Sequence, residues 1–365
     1  MVHLFLVAIL LSYVDKLDAS TSLVNDTNTP ILHSATYFRH NFVASKPKSV
    51  LARRIVKALE QPKHRSVRFM FPDSGLGSNL HVWSQMLCVA LQQNATIDYH
   101  GIHVWSWRYK TFCPTLKCND PLTCYFDLHQ GHSCPNIFSE KVHFQIGNSY
   151  DMCPDWIFNV ESRELFRSAA MEYLFSHTKD TVAAKAEEFM RAAFNGPIPK
   201  DLIAVHIRWG DDKAREVGSI VHADNPKIVR SINDYVVHVE TLVKNFSIPS
   251  PVHIFLSTES PQAQSQFLSL VQKVHQKDWI IYHYDAAISG QRTPMLEAKR
   301  SRGKAGFDSL VALLITLQAK YYVLTTTSNW SRLINELRIS AVDLNCGNCT
   351  VMIDAEYLPE LYWRS

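Results

Sequence analysis

The second half of the chain alternates between short apolar runs and amphipathic stretches. From residue 202 onward, four runs have the length and composition of buried strands, namely LIAVHIR, VHIFLST, WIIYHY and YYVLTTT. Segments with helical periodicity lie between and after them, at 226–245, 261–276, 306–320 and 329–338. This β-α-β-α alternation predicts a parallel sheet with helices on both faces, and hence a Rossmann-like domain over residues 201–345.

The first half predicts a second α/β domain over residues 66–195. The strand candidate VRFMF, the turn SGLGSN and the apolar helix that follows form a strand-turn-helix unit. The stretch NGPIPKD at 195–201 is the best linker candidate. We therefore expect two Rossmann-like α/β domains facing a cleft, preceded by a stem and lead-in helix over 20–65 and followed by a tail over 346–365.

The N-terminus carries an apolar run, Val2–Leu11. A membrane span needs about 20 apolar residues, so the run is short for one and suits the core of a signal peptide. Residues 1–19 are predicted to be a signal peptide or a short signal anchor. The chain is accordingly expected in the ER or Golgi lumen, or secreted, with no membrane contact except through that anchor.

Sequons and cysteines also indicate the secretory pathway. N-x-[ST] acceptor sequences occur at Asn25, Asn94, Asn245, Asn329 and Asn348. The eight cysteines are an even number, as a disulfide framework requires. Four of them predict a stapled loop and two, in a C-x-x-C, predict a local disulfide, with the pairing left open: Cys113, Cys118, Cys124 and Cys134, then Cys346 and Cys349.

Several function classes lack their sequence requirements. The net charge of +3, without a long basic run, argues against nucleic acid as a partner. There is no P-loop and no G-x-S-x-G elbow, which disfavours kinases and serine hydrolases. The absence of D-x-D and of a convincing His/Cys/Asp cluster predicts no metal.

One predicted strand ends in an unusual run of charge, LIAVHIRWGDDKAREVG. Ligands of open parallel sheets bind beyond the carboxyl ends of the strands, and a guanidinium at Arg208 suits a phosphate there. Asp212, Lys213 and Glu216 follow in a loop that offers a carboxylate for proton transfer. A solvated loop with a structural Arg–Asp pair explains the same residues.

Two more turns are expected at the same crevice. In TTTSN, Thr327 and Ser328 precede a helix whose N-terminus would attract an anion, although ordinary N-capping explains them equally. The turn with Gly75 and Gly77 would let backbone approach a phosphate from the other domain. Together these features favour a phosphate-bearing ligand held without metal, as in nucleotide-sugar transferases with the two-domain GT-B fold.

Four ordered segments within roughly residues 70–340 resemble the GDP-fucose-dependent fucosyltransferases, especially the α1,6 type with the N-glycan core and nodulation enzymes. They are GLGSNLHVWSQMLCVAL with WSWRYKTF, then VHIRWGDDKAREV, VHIFLSTESPQAQSQF and LQAKYYVLTTTSNWSRLINELR. The sequence departs from the family where Trp209 replaces a second arginine and Glu259–Ser260 replaces an acidic pair. The aspartate with which the family binds guanine corresponds to Ala312 in this chain. Asp308, one helical turn earlier, is therefore the candidate to take over that role.

The resemblance implies an inverting, metal-independent transfer of fucose from GDP-fucose, with no cofactor besides this donor substrate. It implies that Arg208, His206 and Asp308 bind the donor. Residues of two turns would assist them: Gly75, Gly77, Asn79, Thr327 and Ser328. It assigns the proton acceptor to Glu216 first and Asp212 second, with Lys213 orienting the site. For His206, a buried structural role is an equal alternative.

The acceptor stays open at this stage. The leading expectation is a glycan or glycoprotein, with α1,6-linkage on an N-glycan as the specific case. A protein O-fucosyltransferase or another GDP-sugar transferase is the alternative on the same scaffold. A catalytically inactive, glycan-binding relative is the alternative from a different class.

Overall fold

The computed structural model describes residues 38, 46–99, 105–128, 140–142, 160–208, 230–276, 278–287, 294–342 and 348–354. All of these belong to one unit that spans Ala35–Ser365. The predicted signal segment, 1–19, lies outside the described residues. Within the described ranges, no helix has the length and apolar character needed to cross a membrane.

The first half contains a parallel sheet of three strands. These are β1 (Arg65–Phe69), β2 (Ala95–Tyr99) and β3 (Glu140–Val142), in the order β2-β1-β3. Helix α1 (Val50–Leu59) precedes β1, and helix α2 (Leu76–Gln92) connects β1 to β2. The predicted strand-turn-helix unit is therefore present.

Two further helices complete the first half. They are α3 (Val160–Ser176) and α4 (Asp180–Phe194), so the helical region expected over 161–194 is interrupted. The interruption lies at Thr178, which forms an isolated antiparallel bridge with Phe126. Helix α3 also holds the start of α1, because Glu172 accepts a hydrogen bond of 2.9 Å from the Ser49 N–H.

The second half contains a parallel sheet of five strands. These are β4 (Ile203–Ile207), β5 (Val252–Thr258), β6 (Trp279–His283), β7 (Tyr321–Leu324) and β8 (Thr350–Met352). Their order is β6-β5-β4-β7-β8, and every neighbouring pair is parallel. The predicted α/β class, with a parallel sheet in the second half, is confirmed.

Helices cover this sheet on both faces. They are α5 (Ile232–Asn245), α6 (Pro261–Val274), α7 (Pro294–Arg300), α8 (Lys304–Thr316) and α9 (Asn329–Leu337). Ala204 and Phe255 pack in the core that contains α8, whereas Ile203 and Ile254 pack in the core that contains α5 and α6. Burial on both faces explains why these strands appear as continuous apolar runs in the sequence.

The predicted boundary at residue 345 is wrong. Strand β8 pairs with β7 in the register Val323↔Val351, so residues 350–352 belong to the sheet and not to a tail. A three-residue strand carries too little periodic signal to be recognised from sequence alone.

The cysteine-rich loop is stapled as expected. Cys113 and Cys124 form a disulfide, and Cys88, Cys118 and Cys349 are also disulfide-bonded. Arg108 donates a hydrogen bond of 2.9 Å to the Cys113 carbonyl, so this loop is held by a polar contact as well as by the disulfide. Cys134 and Cys346 lie outside the described residues.

Candidate functional site

The strand order of the second sheet defines one point on its carboxyl edge where a ligand is expected. From β4 the chain proceeds outward through β5 and β6, and then returns to the other side of β4 to form β7 and β8. Beyond the carboxyl ends of β4 and β7, the connections therefore leave in opposite directions. In open α/β sheets this switch point opens the crevice in which ligands bind.

A pocket of about 400 Å³ lies at this switch point. Its size is typical of small-molecule sites, and both halves of the protein line it. The lining consists of residues 73–78 and Trp107 from the first half, and of His206, Arg208, residues 257–259, Met295, Ser309, Ala312 and residues 327–330 from the second.

Arg208 lies in this pocket, immediately after β4, as the sequence predicts. Its guanidinium forms an ion pair with Glu259, which follows β5, and both side chains are 19% exposed. The aspartates of the loop after Arg208 lie outside the described residues, so the structural Arg–Asp pair stays an expectation. The observed partner comes from the neighbouring strand, because β4 and β5 end side by side.

His206 lies on the same side of β4 as Arg208 and also lines the pocket. Its Nδ1 atom is 2.7 Å from Ser331 Oγ, on the first turn of α9. Burial lowers the pKa of His206 to about 4; Glu259 opposes this shift and Arg208 adds to it. The imidazole is therefore neutral near pH 7, when it can exchange hydrogen bonds but adds no positive charge.

The glycine turn brings the two halves into contact beside the pocket. Gly77, in the first turn of α2, lies so close to α9 that an added Cβ would be 2.9 Å from the Trp330 backbone nitrogen. A Cβ on Gly75 would meet nothing within 4 Å. Gly75 is the N-cap of α2 and makes no side-chain capping bond. The N-terminus of α2, which carries the positive end of the helix dipole, lines the pocket.

Asn79 has a different position from the one predicted. It is fully buried, does not line the pocket, and its amide group donates to the Ser74 hydroxyl at 2.7 Å and to the Pro72 carbonyl at 3.1 Å. Its carbonyl oxygen accepts from Trp105 Nε1 at 2.7 Å. Asn79 thus fixes the turn that lines the pocket, while Trp107 donates to the Ser74 carbonyl at 2.9 Å.

The turn between β7 and α9 is already occupied by a carboxylate of this chain. Asp354 is fully buried and accepts from the Thr326 N–H at 2.5 Å and the Thr327 N–H at 2.9 Å. The Ser328 hydroxyl caps α9 by accepting from the Ser331 N–H at 3.3 Å. Thr327 and Ser328 line the pocket as predicted, but the Thr327 N–H and the Ser328 hydroxyl have structural roles instead of serving an anion.

Asp308 lies outside the pocket lining. Its carboxylate forms an ion pair with Lys304 and accepts from the Tyr284 hydroxyl at 3.4 Å. Burial raises the pKa of Asp308, and the contacts with Lys304 oppose the increase. On the same helix, α8, Ser309 and Ala312 line the pocket.

Three predicted catalytic residues cannot be placed. Asp212, Lys213 and Glu216 lie outside the described residues, as does Trp209. Their roles stay predictions. No group of three or more His, Cys, Asp or Glu residues suited to a metal occurs in the ranges that the structure covers.

Sequence reasoning missed three residues of the site. The turn STESP, 257–261, is expected at the crevice from its place after a strand, but Glu259 itself was given no role beyond a departure from a motif. Asp354 also follows a strand, but that strand is too short to be recognised. Asn329 ends the predicted anion-site turn TTTSN and is also a sequon, but its hydrogen bond to Ser78 of the first half has no sequence signal.

Comparison with solved structures returns nucleotide complexes. A crystal structure of POFUT1 in complex with GDP-fucose aligns with a TM-score of 0.45 and 10% identity, over 80% of this chain and 98% of that chain. POFUT1 in complex with GDP aligns with a TM-score of 0.43 and 13% identity, over 77% and 97%. A mutant of Arabidopsis thaliana FUT1 in complex with GDP aligns with a TM-score of 0.40 and 9% identity, over 80% of this chain and 73% of that chain. No protein-family model and no curated protein matches the chain.

Proposed function

We propose that this protein is an inverting, metal-independent fucosyltransferase that uses GDP-fucose and modifies a glycan acceptor in the secretory pathway. The observation that carries the proposal is the position of Arg208 at the switch point of a Rossmann-like sheet, in a pocket that the α2 N-terminus also lines. A guanidinium and a helix N-terminus on one cavity are suited to a diphosphate. The guanine base and the fucose of the donor are inferred from the four sequence segments that resemble GDP-fucose-dependent enzymes.

The chemistry required is displacement at an anomeric carbon. The acceptor hydroxyl oxygen forms a bond to this carbon, and the bond from carbon to the diphosphate oxygen breaks on the opposite side. GDP leaves with the electron pair, and Arg208 stabilises the charge that develops on it. The hydroxyl proton passes to a carboxylate, for which the sequence favours Glu216 and then Asp212.

The ion pair with Glu259 supports a second candidate, an inactive glycan-binding relative. An arginine that keeps its own carboxylate partner would not accept a diphosphate. In a transferase, the donor must displace Glu259 from Arg208. The two candidates therefore make opposite predictions for variants of this pair.

The test is a calorimetric titration of the full chain, without metal, with GDP, GDP-fucose, GDP-mannose and a UDP-sugar. We expect selective binding of GDP and GDP-fucose. Arg208→Ala should weaken GDP binding by at least about a hundredfold, or roughly 2.7 kcal/mol. Glu259→Gln should bind GDP more tightly than the wild type, because the internal competitor loses its charge.

The double variant R208A/E259Q controls for a buried carboxylate left without its partner. It should bind GDP as weakly as R208A, while its thermal melt resembles that of the wild type. Failure of the wild type to bind any of the nucleotides would reject the transferase. Binding without turnover on N-glycan, protein or free-glycan acceptors would favour the inactive relative.

A further inference from the structure

We propose that Asn94, Asn245 and Asn348 carry N-linked glycans, and that the sequon at Asn329 stays unmodified because its side chain is built into the pocket wall. The proposal requires entry into the secretory lumen but does not depend on the sugar donor. In this modification, the anomeric carbon of a lipid-diphosphate-linked oligosaccharide bonds to the asparagine Nδ2. The lipid diphosphate leaves with the electron pair, and Nδ2 loses one proton.

The three proposed sites share an exposed side chain at a connection between elements. Asn94 lies between α2 and β2, Asn245 ends α5 before β5, and Asn348 lies just before β8. The side chain of Asn94 accepts a 2.6 Å hydrogen bond from Lys63 Nζ, and this bond uses the carbonyl oxygen, not the nitrogen that a glycan modifies. A bulky, solvated glycan requires such a surface position.

The same three asparagines lie toward the amino ends of parallel strands in the two sheets. Asn94 directly precedes β2, Asn348 is two residues before β8, and Asn245 ends the helix whose following loop leads into β5. The pocket lies at the opposite edge, beyond the carboxyl ends of β4, β5 and β7. Glycans at these positions therefore leave the pocket open to a substrate.

Asn329 is on the pocket side, after β7, and both its amide nitrogen and its amide oxygen form contacts within the protein. Its Nδ2 donates to Ser78 Oγ at 2.5 Å, and its Oδ1 accepts from Arg332 and lies 3.2 Å from His81 Nδ1. A sugar on Nδ2 would occupy the position of Ser78 and separate α2 from α9.

The experiment compares the wild-type chain, secreted from a eukaryotic host, with N94Q, N245Q, N348Q and N329Q. Glycopeptide mass spectrometry of the wild type should find glycan at the first three asparagines and unmodified amide at Asn329. On gels, each of the first three variants should lose the mobility increment of one glycan, which peptide N-glycosidase abolishes. N329Q should migrate like the wild type.

The peptide measurement reads Asn329 directly, so the result does not depend on the folding of N329Q. A glycan on Asn329 in folded, secreted protein would overturn the proposal, and so would unmodified amide at the other three positions. Neither outcome bears on nucleotide binding. The glycan proposal and the transferase proposal therefore fail separately.

Discussion

His206 shows how burial sets the chemistry of a single residue. The imidazole is enclosed beside Arg208 and Glu259, and its neutral form is favoured because burial lowers its pKa to about 4. In the unfolded chain the pKa of this histidine is near 6.5. Between pH 4 and pH 6.5 the folded state therefore binds fewer protons than the unfolded state. Stability from this residue is therefore complete above pH 6.5 and is lost as the pH falls toward 4.

We predict that the wild type loses roughly 2 kcal/mol of unfolding free energy through His206 between pH 7.5 and 5. In His206→Asn, the side-chain amide replaces Nδ1 as the partner of Ser331 but does not titrate. The variant should therefore lose about 2 kcal/mol less over this range, as measured by urea unfolding at both pH values. Equal losses would mean that His206 is already able to bind a proton in the folded state.

At the scale of elements, the contact between α2 and α9 depends on one glycine. Gly77→Ala would place its Cβ 2.9 Å from the Trp330 nitrogen and 3.0 Å from the Asn329 carbonyl carbon. The helices must separate, at a cost of roughly 1–3 kcal/mol, and nucleotide binding should weaken because both helix ends line the pocket. Gly75→Ala is the matched control, since its Cβ meets nothing within 4 Å.

The control should change the unfolding free energy by no more than about 0.5 kcal/mol. Both variants are measured by urea unfolding and GDP titration. If both glycine variants behave alike, the helix contact does not limit the pocket.

The elements also show how far sequence reasoning extends. The strands β4, β5 and β7 are predictable because burial on both faces produces apolar runs, and Arg208 was placed because it follows one of them. Strand β8 was missed, and with it Asp354, because three residues carry no periodicity. Asn79 was predicted to support the donor because it belongs to the turn SGLGSN, and a sequence does not distinguish an asparagine that binds a ligand from one that holds its own turn. Only the structure shows that its amide hydrogen bonds are used within the turn.

At the scale of the whole molecule, a buried cluster of charge connects the two halves behind the pocket. Glu336 on α9 lies 2.5 Å from Arg167 Nε on α3 and 3.1 Å from His81 Nε2 on α2. Burial alone would raise the pKa of Glu336, but Arg167, His81 and Arg332 outweigh it and lower the pKa to about 2. The carboxylate therefore remains charged at neutral pH and balances the arginine.

Removing one partner of a buried ion pair leaves the other without compensation, at a cost of about 3–5 kcal/mol. We therefore predict that Glu336→Gln lowers the unfolding free energy by at least 3 kcal/mol on this scale. Glu188→Gln makes the same chemical change in the exposed pair with Lys185, and should cost about 0.5 kcal/mol or less. Urea unfolding of both variants provides the comparison. Similar costs would mean that the cluster does not hold the halves together.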